Sequence, residues 1–359
     1  MRNIAALLGA FAAFALVATT VPALAQDTAR DQVQRQQVQP LNNAPVWRDV
    51  RSGDPAYTSV KGRETEVLIQ PSGVLLPGQK AITAGENWRL ARVPLATVGG
   101  VVVAIALLGS ALIYFWKGPH TVHDRPTGRL IRRFSTPERA VHWSMGLSFV
   151  VLAASGLILT FGKTLLLPVF GYTLFAWLAN AAKNTHNFIA PVFIVSVPIF
   201  MVMFFRDNLP TAQDLKWLKA GGGVFTGKNV PSGRFNAGEK LQYWGLVVFL
   251  GLILIVTGLI LLFPNFDQSR STMQLANVVH IVAAMLGIAM AVGHVFMGTV
   301  YTKGAYEGMR YGYVDETWAK EHHGSWYEDV RAGRSRQRFV DEVPAETAAR
   351  VQASLLQSR

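Results

Sequence analysis

The chain has 359 residues, 34 Lys and Arg against 22 Asp and Glu for a formal charge of +12, 50% hydrophobic residues, 16% charged residues and no cysteine. A soluble domain carries about 25% charged residues, and here the deficit is concentrated in long uncharged runs, which points to a membrane. The missing cysteine excludes a disulfide framework, a cysteine nucleophile, an iron–sulfur cluster, a thiolate zinc site and covalently attached c-type haem within this chain, so redox or metal chemistry must rest on His, Met or carboxylates.

In chain order, Met1-Arg2-Asn3, an apolar run from Ile4 to Val21 and Ala23-Leu24-Ala25 have the form of a secretory signal peptide over residues 1–25. The alternative is a retained first membrane helix; either way residues 26–92 are exported. Those residues are rich in Gln, Asp, Arg, Gly and Pro without apolar periodicity, and are expected to form a loosely folded periplasmic extension. Five apolar stretches follow at 94–116, 141–162, 186–205, 241–263 and 277–299, each close to the ~20 residues that cross a bilayer as a helix. They define an extra membrane helix at 93–116, a four-helix domain at 117–301 and a tail at 302–359, which combines an acidic and aromatic stretch with a polar helical end.

Charge orients these spans. Lys117, Arg125, Arg129, Arg132, Arg133 and Arg139 sit in one connection, and Arg206, Lys216, Lys219, Lys228, Arg234 and Lys240 in another. The intervening loops carry only Lys163 and Lys183, and Arg270. The positive-inside rule makes the two basic loops cytoplasmic, and an exported N-terminus followed by five crossings agrees. The expected location is a bacterial inner membrane, with a periplasmic mature N-terminus and a cytoplasmic C-terminus. Much of the positive charge then records orientation, and nucleic acid is not an expected partner.

No Asp, Glu, Lys or Arg lies deep in these spans, but His142, His186, His280 and His294 fall at or within them. Intramembrane ionisable residues are costly and point to function. His280 and His294 share the last span, 14 residues apart; that spacing returns to within ~40° of the starting direction after a climb of about 21 Å. With the orientation above, His142 and His294 lie near the cytoplasmic side, and His186 and His280 near the periplasmic side. Two His on facing helices form the ligand set of a six-coordinate haem b, and two such sets stack into an electron path across the membrane. The alternatives are hydrogen-bonded packing histidines, or zinc, which is disfavoured because each level has two His and no further ligand. Gly146, Gly156 and Gly287 lie near these histidines, where small residues suit either a macrocycle or helix packing; Gly245, Gly251 and Gly258 are equally ambiguous. His120 and His123 lack further metal ligands, and His322 and His323 read as a subunit contact or solvated surface.

No dinucleotide-binding fold or nucleophile–base pair is present, so the expected role is to pass electrons between a redox partner and membrane quinone. The second basic loop, with Gly221-Gly222-Gly223 and Arg234-Phe235-Asn236-Ala237-Gly238-Glu239-Lys240, is the candidate quinone pocket. Asn236 offers an amide donor there; alternatively, the Asn-Ala-Gly turn merely caps a helix.

Residues from about 130 to 330 resemble the cytochrome b (gamma) subunit of membrane-bound formate dehydrogenases. The resemblance rests on RRFSTPERAVHW at 132–143, RFNAGEK at 234–240, the two histidines of the last span and EGMRYGYVDETWAKEHHGSWY at 307–327. It implies an all-α integral membrane fold, a four-helix di-haem b cytochrome bundle, here with one extra N-terminal transmembrane helix. It implies two haem b, with His142 and His294 as axial ligands of the inner and His186 and His280 of the outer, and a quinone site using Asn236, Gly238 and His294. The implied partners are an iron–sulfur beta subunit and a molybdenum or tungsten alpha subunit that oxidises formate. Electrons would enter at the outer level and reduce quinone at the inner one, with protons taken from the cytoplasm. Related di-haem bundles serve hydrogenases and thiosulfate or polysulfide reductases, and a non-redox anchor or transporter is a further alternative. The five spans lack the inverted repeat of many transporters.

Overall fold

The computed structural model describes residues 84–223, 230–264, 266 and 268–356. The expected signal peptide and most of the expected periplasmic extension lie outside the described residues. The first described helix, α1 (Ala84–Lys117), begins upstream of the expected span. A short strand, β1 (Leu130–Arg132), leads to α2 (Thr136–Leu165) and α3 (Leu167–Phe204). After α4 (Ala212–Lys219) come α5 (Ala237–Leu262) and α6 (Arg270–Val295), whose last turn continues as a π-helix over Phe296–Tyr301. Among the described residues five helices are thus long and apolar enough to cross a membrane, and the chain is a multi-pass membrane protein.

Local sequence sets the helix starts. Ser135 caps α2 in a capping box with Glu138, whose carboxylate accepts from the Ser135 N–H at 2.7 Å, and a proline follows at the first turn. Asn236 and Glu239 form the same device at the start of α5. Two features were not expected. The loop assigned to 163–185 is mostly helix: α2 turns at Leu166 straight into α3, and the bend is taken at Gly171, whose φ of 71° suits a residue without Cβ. In α5, residues Gln242–Leu250 form a π-helix, a wide turn that often marks functional positions.

α2 packs along α3, while α6 packs against both α1 and α5. Between the helices, Phe193, Val197, Val247, Leu250, Leu254 and Ala283 form an apolar core. Ile281 and Met285 of α6 join Ala96 of α1 in a second. Outward-facing Leu108, Leu147, Val202 and Phe249 remain exposed, as a lipid-facing surface requires.

The tail ends in the expected helix and holds more structure than its sequence indicated. Beyond α6, α7 (Ala305–Tyr311), β2 (Tyr313–Asp315), α8 (Glu316–His322), α9 (Gly324–Arg331), β3 (Phe339–Val340) and α10 (Ala345–Leu356) fold into a cap. Its antiparallel sheet has the order β2–β1–β3, so the tail clasps the segment preceding α2. Ile131, Val314, Trp318, Trp326 and Leu355 form its core. The buried Asp315 carboxylate accepts from the N–H groups of Gly128 and Thr317, both at 2.8 Å, and ties the sheet together. Alternation in strands of two or three residues is too short to read from sequence, which is why the sheet was not expected.

Candidate functional site: two histidine pairs and a cavity beneath the cap

The four intramembrane histidines meet in two pairs. The ring centroids of His142 on α2 and His294 on α6 are 6.1 Å apart; those of His186 on α3 and His280 on α6 are 6.3 Å apart. Two imidazoles facing each other across one metal ion, with bonds of about 2 Å, place their centroids about 6.3 Å apart. Rings packed edge to face reach similar separations, so the distance is compatible with a metal between the rings and the pairing at two levels along α6 carries the reading. The arrangement thus fits a bis-imidazole iron at each level, and the two levels are separated along α6 by about 21 Å.

Hydrogen bonds around the His186–His280 pair define its tautomers. Thr257 donates its single hydroxyl proton to the Ile253 carbonyl at 2.6 Å, so its oxygen accepts from Nδ1–H of His280 at 2.8 Å. Ser155 donates to the Val151 carbonyl at 2.8 Å and accepts from Nδ1–H of His186 at 2.9 Å. Each ring therefore has its proton on Nδ1 and its Nε2 lone pair free for a metal, as ligating histidines require. The adjacent glycines complete the setting: a Cβ on Gly156 would lie 3.4 Å from Cε1 of His186, and one on Gly258 the same distance from Cε1 of His280. These residues occupy a short internal repeat, Ser155-Gly156-Leu157-Ile158-Leu159 and Thr257-Gly258-Leu259-Ile260-Leu261. Sequence reasoning noted the glycines and missed the hydroxyls, although the repeat was available to find them. Gly287, midway on α6, faces Leu246 and Phe149 at ordinary contact distance and serves packing between the levels.

A mostly apolar cavity of about 330 Å³ opens beside His142 and His294, lined by Phe149, Phe200, Tyr243 and Leu246. Gly146 and Gly298 border it with no side chain crowding their Cβ positions. His142 Nδ1 is buried and has no hydrogen-bond partner among the described residues. At the cavity's capped end two arginines interlock. Arg133 donates to the Arg234 carbonyl at 2.9 Å and to Glu239 at 3.0 Å; Arg234 donates to the Arg133 carbonyl at 2.7 Å and to Glu138 at 2.9 Å, and pairs with Asp207. The network joins the starts of α2 and α5 and explains both basic motifs as structural anchors.

A second cavity, of about 390 Å³, lies on the other side of His294 under the cap. Asn236, Gly238, Trp217, His120 and His322 line it, so the structure brings the predicted quinone residues beside His294. Asn236 Oδ1 accepts from the Glu239 N–H at 3.0 Å, so this residue does cap α5, as the alternative reading held. Its Nδ2 amide has no partner among the described residues and is available as a donor. Trp217 was missed: its indole lies against Gly222 and Gly238, where added Cβ atoms would approach it to 2.5 and 3.1 Å.

The tail histidines are not a solvated surface. His323 is 2% exposed; it donates from Nδ1 to the Gly233 carbonyl at 2.8 Å and accepts at Nε2 from Arg133 at 3.1 Å. Burial, reinforced by Arg133, lowers its pKa to about 4. His120 and His123 diverge, the former toward the cavity and the latter toward Glu321. No group of three metal-ligating side chains occurs among the described residues.

The chain is similar to known proteins over its membrane domain. Residues 133–311 match the prokaryotic cytochrome b561 family. The formate dehydrogenase cytochrome b556(fdo) subunit of Escherichia coli strain K12 is 32% identical over 208 residues, covering 56% of this chain and 93% of that protein. The cytochrome b556(Fdn) subunit of the nitrate-inducible formate dehydrogenase from the same strain is 28% identical over 226 residues, 60% and 98% of the two chains. A formate dehydrogenase cytochrome b556 subunit of Haemophilus influenzae is 25% identical over 223 residues, 59% and 88%. The chain belongs to the family of formate dehydrogenase cytochrome b556 subunits and is a membrane haem b electron-transfer subunit.

Proposed function

We propose that this chain is the quinone-reducing membrane subunit of a formate dehydrogenase, carrying two haem b, one held by His142 and His294 and the other by His186 and His280. The observation behind this reading is the pair of centroid separations, 6.1 and 6.3 Å, in two levels along one helix. Haem b, when bound, supplies a one-electron iron couple at each level. The protein's part is to orient the rings, through Ser155 and Thr257 at the outer level, and to exclude water with the core between the levels.

Quinone occupies the cavity bordered by His294, Asn236 and Gly238. The Asn236 amide donates to a quinone oxygen, which gains electron density on reduction and strengthens that bond. Gly238 keeps the wall open to Trp217. By the positive-inside rule the basic loops, the cap and this cavity face the cytoplasm. Electrons arrive at the outer level from an iron–sulfur subunit served by a molybdenum or tungsten formate-oxidising subunit, and the protons for quinol come from the cytoplasmic side.

The test uses the assembled complex with formate as donor. His280→Ala is expected to remove one haem and stop formate-driven reduction of the remaining one. Asn236→Ala is expected to keep both haems and their reduction by formate while quinone turnover falls about tenfold or more, the loss of one well-placed donor. Retention of both haems in His280→Ala, or undiminished quinone turnover in Asn236→Ala, would contradict the respective assignment.

A further inference from the structure

We propose that His120 and His322 form a proton relay linking the surface at His123 and Glu321 to the quinone cavity, an inference that rests on the quinone reading above. Both histidines line the cavity with Asn236 and His294, and their ring centroids are 5.0 Å apart. His322 Nε2 is buried and has no hydrogen-bond partner among the described residues. His120 is held firmly in place, because its ring stacks on Tyr301 at 5.9 Å with an interplanar angle of 9° and its backbone bonds to Tyr301 and Lys303.

The outer end reaches water. Glu321 precedes His322 on α8, borders the cavity, and accepts from Nδ1–H of His123 at 2.9 Å and from the N–H groups of His123 and Asp124. The His123 side chain is 63% exposed. His323, equally close in sequence, is unsuited to transfer because Gly233 and Arg133 engage both its ring nitrogens. The relay therefore falls to the two histidines that line the cavity.

Reduction of the quinone consumes two electrons, delivered from the His294 side, and two protons, yielding quinol. Each proton passes from an imidazole nitrogen to a quinone oxygen and is replaced from Glu321, His123 and water, so the relay returns to its starting state. Burial, with the neighbouring histidines, holds His322 well below the ordinary histidine pKa; burial and His123 lower His120, against an opposing pull from Glu321. Both rest uncharged near neutral pH, able to take up a proton and pass it to an oxygen that becomes basic on reduction. The charged and titratable groups facing them are His123, Glu321, His323 and Arg133, with Tyr301 stacked on His120, Glu239 and His294 bordering the same cavity, and Lys303 bonded at the backbone.

The experiment measures turnover of the intact complex with formate and decyl-ubiquinone for wild type, His120→Gln, His322→Gln and Glu321→Gln. Turnover is expected to fall about 100-fold or more in the histidine variants, as for loss of a proton-transfer group, with haem content and formate-driven haem reduction retained. The deficit should deepen as pH rises, a solvent deuterium effect should appear, and added imidazole should partly restore a His120→Ala variant. Glu321→Gln should show the same pH trend in milder form. Wild-type turnover and pH profile in the histidine variants, or a pH-independent loss that imidazole does not relieve, would overturn the relay. If Asn236→Ala still slows turnover, the pocket survives that failure; if it does not, the pocket and the relay fall together.

Discussion

The hydroxyl of Thr257 offers a sensitive probe of the outer histidine pair. Its proton is committed to the Ile253 carbonyl, and its oxygen accepts Nδ1–H of His280 at 2.8 Å. That bond draws the ring proton away and makes the imidazole a stronger electron donor, which favours the oxidised iron. Thr257→Val preserves shape and removes the acceptor. A hydrogen bond worth about 1 kcal/mol, expressed wholly in one oxidation state, corresponds to about 40 mV for a one-electron couple. The outer midpoint should therefore rise by up to about 40 mV, and Ser155→Ala should do the same through His186. The inner midpoint should stay in place, because His142 Nδ1 has no comparable partner among the described residues. Spectroelectrochemical titration of the purified complex reads both couples. An unmoved or lowered outer midpoint, or an equal shift of both, would show that these hydroxyls do not tune the outer iron.

Other outcomes follow from the same geometry. Gly258→Leu should abolish outer haem binding, since the side chain grows from a Cβ already 3.4 Å from His280, whereas Gly258→Ala should be tolerated; haem quantification distinguishes them. Arg234→Ala strips Glu138 and Asp207 of a buried partner and should destabilise the fold by about 3–5 kcal/mol, read as a lowered Tm. The cap should also weaken in acid. His323 binds its proton less readily folded, at about 4, than unfolded, near 6.5, so its contribution is present above about pH 6.5 and is lost as pH falls toward 4. Amide exchange in α8 and α9 should accelerate across that window, and His323→Gln should flatten the response.

Residue patterns with long period or strong contrast were legible. The 14-residue spacing of His280 and His294 carries both level and face because a helix repeats over that length, and the structure brings the two anticipated pairs together. Asn236 was anticipated as a quinone-pocket residue or, alternatively, as a helix cap; it caps α5 and also borders a cavity. Short-range chemistry was less legible, even where a repeat marked it. Ser155 and Thr257 matter through single hydrogen bonds across a helix interface, and a hydroxyl in an apolar run more often bonds its own helix, as these also do. His323 read as exposed because its neighbours are polar; its burial comes from Arg133, Ser232 and Gly233, distant in sequence and joined only by the fold. The helix from Leu167 replaced an expected loop because Gly171 absorbs the bend.

Everything proposed for this chain depends on its holding two haem b between two histidine pairs. A reduced-minus-oxidised spectrum of the purified protein, with haem quantified per chain on wild type, His142→Ala and His186→Ala, tests that directly. Two b-type haems are expected in wild type and one in each variant, the remaining haem differing in midpoint between the two. One haem or none in wild type, or both haems retained in either variant, would rule the two-pair arrangement out.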